Sequence, residues 1–457
     1  MTRVATVSGP LLALCLSMGA CDQPAAPAAS PAASDAPAPP PAASATPPPP
    51  VAPAPPSSAT PAPLATPATK DELTDLAKRN NAFALDLYGK ARLADGGKRN
   101  LAMSPFSIST ALAMTWAGAK GDTAAQMAKV LHLDGATDRT LEIAGSLIAS
   151  YGGAGQPVTI HIANRLFGEK TYAFEQPYLA RLTSAFGAPL EPVDFKNHAE
   201  ASRARINAWV ATETRDRIKD LVPPSGVSAE TRLSLVNAIY FLGDWDVPFV
   251  ASLTHPAPFF TSKTDRKDTP TMHETEHLHF AATDGVKVLE LGYSNSSIVM
   301  DFVLPDAVDG LGAVEARLTP AVFDAWMAAA SSANVDVSLP KVELAPDGVP
   351  LGDTLSAMGM PLAFDREKAD FTGIARPAVT GERVSVSNVF HKAFVKMDEK
   401  GTEAAAATAV MAVGAAMAPA QQPPKLFHAD HPYLFFLRDI HSGLVLFMGR
   451  VVDPTSK

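Results

Sequence analysis

"VFHKAFVKMDEKGTEAAAATA" (389–409) changes character halfway along. Its first part belongs to a stretch, 383–397, that reads as a β-strand. Residues Glu399 to Glu403 are charged and turn-like, and from Ala404 small apolar residues run almost without interruption to Pro419. Alanine is the best helix former, yet a helix of Ala, Val and Met would show no polar face. The run is also short for a bilayer, poor in large apolar side chains and interrupted by Gly414, so it is no membrane span.

Taken as a strand, the run has two unlike faces. Thr402, Ala404, Ala406, Thr408, Val410 and Ala412 share one side, which carries neither charge nor ring. Glu403, Ala405, Ala407, Ala409, Met411 and Val413 share the other, where the single charge can stay in water. Gly401 supplies the freedom of a hinge. About fourteen residues from Thr402, at roughly 3.3 Å each, give about 46 Å of strand, the length of a large sheet.

The flanking chain mixes helices and strands without regular alternation. Helical spacing marks 71–93, with Asp71 as the expected cap, then 104–119, opened by Ser104 and Pro105, and 122–133 and 200–218. Shorter helices are expected at 318–330 and 351–359. Strands are expected at 158–170, 231–245, 286–293, 297–304, 334–343, 383–397, 433–438 and 443–452. This order argues for an α+β class rather than a doubly wound sheet.

The N-terminal segment reads as targeting rather than structure. Residues 1–20 form a signal peptide, and "LSMGAC" (16–21) resembles a bacterial lipobox, implying cleavage before Cys21 and its acylation. An ordinary secretion signal with an incidental cysteine is the alternative. Residues 22–70 are almost entirely Ala, Pro, Ser and Thr, which cannot build a core and read as a tether. As a coil of about fifty residues it would span roughly 40 Å. The expected location is a bacterial cell envelope, facing periplasm or exterior, with membrane contact only through the anchor. Cys15 and Cys21 are the only cysteines, so residues 71–457, one expected domain, hold no disulfide, thiolate metal site or cysteine nucleophile. A net charge of −9 without basic runs argues against nucleic-acid partners.

One enzyme pattern is present. His273, Glu274 and His277 have zinc-protease spacing, which works only on a helix, where both imidazoles face one metal. Pro270 stands close upstream, and Met272, Leu278 and Phe280 alternate with His273, Thr275, His277 and His279, so a strand with one polar face is expected instead.

Several segments in order resemble the serpin family: "NLAMSPFSISTALAM" (100–114), "IANRLFGEK" (162–170), "VDF" (193–195), "INAWVATETRDRIKDLV" (206–222), "TRLSLVNAIYFLGDWDVPF" (231–249), the opening stretch, and "FHADHPYLFFLRD" (427–439), with Tyr433 where Phe is usual. The resemblance implies three β-sheets, eight or nine helices and an exposed reactive-centre loop at about 399–424. It also implies a monomeric suicide substrate of a serine protease, without catalytic residues or cofactor, which traps the acyl-enzyme as its cut loop enters the central sheet.

By residue, the hinge falls on Glu399, Gly401, Thr402, Glu403, Ala404, Ala405, Ala406, Ala407 and Thr408. The polar cluster beneath the opening sheet falls on Ser104, Ser107, Asn237 and His391, and the aromatic at the entrance on Trp245. The cut bond follows Ala415, or with slack Ala416 or Met417. These small or unbranched residues suit elastase- or subtilisin-like pockets, and no Arg or Lys stands between Glu403 and Lys425 for a trypsin-like one. A non-inhibitory serpin acting as a binding module is the alternative, disfavoured by the small, uncharged hinge.

Overall fold

The computed structural model describes residues 67–93, 96–133, 137–151, 158–187, 190–344, 349–402 and 423–456. The first helix, Lys70–Ala91, buries Phe83 and Leu87 on one face. Its cap is Thr69 rather than Asp71: the Thr69 hydroxyl accepts from the Glu72 N–H, and the Glu72 carboxylate accepts from Thr69 N–H. Asp71 sits in the first turn, where its charge suits the helix dipole. Helix Pro105–Trp116 is capped by Ser104 and is buried almost all round, as its lack of charged residues requires.

That helix lies behind a seven-stranded sheet whose centre is a parallel pair, Leu233–Asp244 and Asn388–Asp398. Strand Val158–Glu169 flanks the pair on one side and Val342–Leu344 on the other. Both faces of the pair are largely covered, so Leu233–Asp244 reads as a near-continuous apolar run, while Asn388–Asp398 keeps Lys392 and Lys396 half-buried on one face. Ile239, Phe241, Ala393 and Val395 face the interior. Val236, Ala238, Phe390 and Phe394 pack under Ile206, Trp209 and Val210 of helix Phe195–Glu213.

The remaining strands form a nine-stranded sheet. Strand Arg266–Thr283 pairs with His255–Phe260 near its start, with Ser331–Pro340 along its middle, and with Val286–Gly292 at its end. It therefore joins into one hydrogen-bonded set what the resemblance divides into two sheets. Ten α-helices occur among the described residues, three of them of seven residues or fewer. Helices Thr137–Tyr151 and Gln176–Phe186 and strand Lys425–His428 lie outside the expected elements, although Leu141, Ala144 and Leu147 in the first helix and Tyr178, Leu182 and Ala185 in the second have helical spacing. The class is α+β.

"MHETEHLHF" lies within Arg266–Thr283, and it is a strand. His273 and His277 are four residues apart on one face, about 13 Å along the strand, so one ion cannot bind both as in a zinc protease. Met272 and Phe280 are buried while Thr275, His277 and His279 are exposed, which is the alternation expected.

Candidate functional site

At its C-terminal end, strand Asn388–Asp398 turns through Glu399 and Lys400 and comes back as the two-residue strand Gly401–Thr402. This short return pairs antiparallel with both central strands: Thr402 sits between Met397 and Gly243, and Gly401 between Asp398 and Asp244. Asn388 pairs with Ser234 nine residues further down each strand, so the return continues the register of the ladder below it. The Thr402 side chain is fully buried, its hydroxyl 2.6 Å from the Tyr293 hydroxyl.

Two glycines make room at this entrance. A Cβ on Gly401, whose φ is +155°, would lie 2.0 Å from the Gly243 carbonyl oxygen. A Cβ on Gly243 would lie 2.8 Å from the Tyr293 ring. The turn is held from outside by Trp245, whose indole N–H donates to Asp398 O at 3.0 Å and whose backbone N–H donates to Lys400 O at 2.8 Å. Phe249 N–H donates to Glu399 O, and the Lys341 ammonium lies 2.7 Å from the Glu399 carboxylate. Trp245 stacks on Tyr293 at 4.5 Å, so one aromatic pair supports both the turn and the buried threonine.

Further down the same strands, Asn164, Asn237 and His391 are direct partners across three strands and form one polar row. The row meets the N-terminus of helix Pro105–Trp116. Ser104 N–H donates to His391 Nε2 at 3.1 Å, which fixes the neutral tautomer, and the Nδ1–H then donates to Asn237 Oδ1. Asn237 Nδ2 donates to Ser107 Oγ and Asn164 Oδ1. Ser104 Oγ donates to Leu446 O at 2.6 Å. Ser104 and His391 thus meet through a backbone N–H inside the core and not as nucleophile and base. The structure brings Ser104, Ser107, Asn237 and His391 together and places Trp245 against the turn at Asp398–Lys400. Asn164 is the member sequence reading missed, although it lies inside "IANRLFGEK". Glu403 to Thr408, the reactive-bond candidates Ala415, Ala416 and Met417, and Cys21 lie outside the described residues.

Burial holds the His391 imidazole down to about 3. The unfolded chain therefore takes up a proton near pH 6.5 that the folded chain refuses until about pH 3. This term of stability is complete above pH 6.5 and is lost as pH falls toward 3, by at most about 1.4 kcal/mol per pH unit. Asp301, whose carboxyl burial pushes up to about 6, acts with the opposite sign in part of that window. The difference in urea unfolding free energy between the native chain and His391→Gln should isolate the histidine. That difference is expected to shrink steadily from pH 6.5 to 4.5, and a constant difference would refute the assignment.

A family model described as "Serpin (serine protease inhibitor)" matches residues 78–454. The chain belongs to the serpin family. Human Serpin B3 is 36% identical over 402 residues, covering 84% of this chain and 100% of that protein. Human leukocyte elastase inhibitor is 37% identical over 391 residues, with the same coverage. Among solved structures, uncleaved ovalbumin superposes with a TM-score of 0.75 at 26% identity, covering 83% of this serpin and all of that chain. Serpin48 of the insect Tenebrio molitor gives 0.72 at 28% identity, covering 84% of this serpin and 98% of its own chain. In this serpin, the buried seat of Thr402 and the Asn164–Asn237–His391 row beneath it place polar groups on the interior face of the central strands.

Proposed function

We propose that this serpin is inhibitory: a suicide substrate of serine proteases with elastase- or subtilisin-like preference, which traps the acyl-enzyme as the cut loop enters the central sheet. The observation that carries this reading is Gly401–Thr402, seated between the central strands in the register of the ladder below. Each further loop residue would move one rung down both strands. Ala404 would enter between Phe241 and Val395, Ala406 between Ile239 and Ala393, and Met411 between Ser234 and Asn388. Thr408 would arrive between Asn237 and His391, whose mutual hydrogen bond must break when the strands part. A hydroxyl, both donor and acceptor, is suited to bridge them. Every inward residue of the hinge is small, and Glu403 falls on the outer face. Relatives named as leukocyte elastase inhibitors fit the same specificity.

Mixing the protein with pancreatic elastase or subtilisin should give an SDS-stable adduct, and the mass of the released C-terminal peptide should place the cut after Ala415, Ala416 or Met417. Turnover of the loop without any adduct would overturn inhibition in favour of the binding-module reading. The envelope location rests on the N-terminal segment alone, since the relatives named above are animal proteins. A lipid at Cys21, with 22–70 as the tether of a monomeric inhibitor, would let the domain work away from the bilayer. In a bacterial host, radiolabelled palmitate should be incorporated and lost in Cys21→Ser. Equal labelling of both would remove the anchor.

A further inference from the structure

A cleft of about 920 Å³ opens beside the entrance, between the end of helix Thr137–Tyr151, strand Val286–Gly292 and the turn at Asp439–His441. Its volume is that of a small-molecule site. Its floor includes edges of Trp245 and Tyr293, the stacked pair that holds the hinge turn and Thr402. No lysine or arginine lines it among the described residues, while three carboxylates do: Asp246, Glu290 and Asp439.

Only one of these is balanced by a cation. Arg438 reaches Glu290 at 2.8 Å from behind the wall. Asp439 is buried and takes its hydrogen bonds from neutral donors, the Ser442 hydroxyl at 2.6 Å and the Tyr151 hydroxyl at 3.3 Å. Asp246 is exposed at the rim and has no basic partner among the described residues. The remaining surface mixes apolar and aromatic groups, among them Leu278, Ile298 and Tyr151, with polar ones, among them His277, His279 and His441. Three carboxylates without a lining lysine or arginine, beside aromatic and aliphatic groups, favour an organic cation over an anion.

We propose that this cleft binds a small organic cation with an aromatic body, and that its occupancy tightens the seating of Gly401 and Thr402 through Trp245 and Tyr293. The ammonium would sit at Asp246 and the ring would lie against the inner wall. A ligand there stiffens the aromatic pair whose other side bonds the hinge turn, so site and hinge share one structural element. This inference does not depend on the chain being an inhibitor, and its test uses no protease.

The full chain should be titrated calorimetrically at pH 8 with tryptamine and, separately, with indole-3-propionate, which has an indole ring and the opposite charge. Saturable binding of tryptamine is expected, at least about tenfold weaker for the propionate and in Asp246→Asn. Val247→Arg, at an exposed position on the rim, should abolish binding without changing the melting temperature. In saturating tryptamine, amide exchange at Gly401 and Thr402 should slow at least about threefold. Equal affinity for the two probes, undiminished binding in Asp246→Asn, or no saturable binding would overturn the site. Binding with unchanged exchange would overturn the coupling.

Discussion

Thr402→Arg is expected to convert the trap into a plain substrate: loop cleavage continues while the SDS-stable adduct falls at least about tenfold. Thr402 is fully buried against the Tyr293 hydroxyl, in a slot bounded by Gly243 and the aromatic pair. A guanidinium there would be desolvated without a partner, which costs several kcal/mol. In the proposed mechanism insertion would compete with hydrolysis of the acyl-enzyme, and each 1.4 kcal/mol added to the insertion barrier would shift that competition about tenfold. Glu403→Arg is the control. The register puts residue 403 on the outer face, so the same charge one position later should leave most of the adduct intact. Equal loss in both variants would show that the register seen at Gly401–Thr402 does not extend into the loop.

The second large effect is expected at Asn237. Its side chain joins His391, Asn164 and Ser107 in the buried row, so Asn237→Ala leaves the His391 Nδ1–H without an acceptor, while the Ser107 hydroxyl and Asn164 Oδ1 still bond each other. One unsatisfied group costs about 1–3 kcal/mol and the other lost hydrogen bonds add to it, so the loss should be about 2 kcal/mol or more. That is a large share of an ordinary domain's stability. The same change loosens the contact between the two strands that must separate. The variant should therefore unfold at lower urea and lose adduct-forming capacity on standing at 37 °C without protease. Ser107→Ala, which leaves the His391–Asn237 bond in place, should cost less. A loss below about 1 kcal/mol for Asn237→Ala would mean that water replaces the amide and the row carries little load.

The two expected results mark what could be read from residue order and what could not. The burial of Thr402 and the strand character of "MHETEHLHF" follow from alternation alone, because a strand's period is local. The row was only partly legible. Asn237 and His391 are conspicuous as polar residues in apolar strands, but Asn164 gains its role from a lateral partner 73 residues away, and nothing near it in sequence announces that. Tyr293 and Lys341, which clasp Thr402 and Glu399, are 109 and 58 residues from their partners and were invisible for the same reason. The displaced cap, Thr69 for Asp71, is a finer matter: both residue types cap helices, and only the reciprocal bond with Glu72 decides between them. The merging of two sheets depends on the unusual length of Arg266–Thr283, whose pairing partners no pattern within the strand specifies.

The topology also bears on what a single cut would accomplish under the proposed mechanism. Thr402 ends in the seven-stranded sheet, while Lys425 begins an edge strand of the nine-stranded one, pinned in parallel to Val335–Ser338. The chain between them is tied at its two ends into different sheets. Were it cut once, as the proposed mechanism requires, the hinge end would be free to leave while the far end stayed paired at Val335–Ser338. The signal such a device would respond to is the loss of continuity between two anchored points.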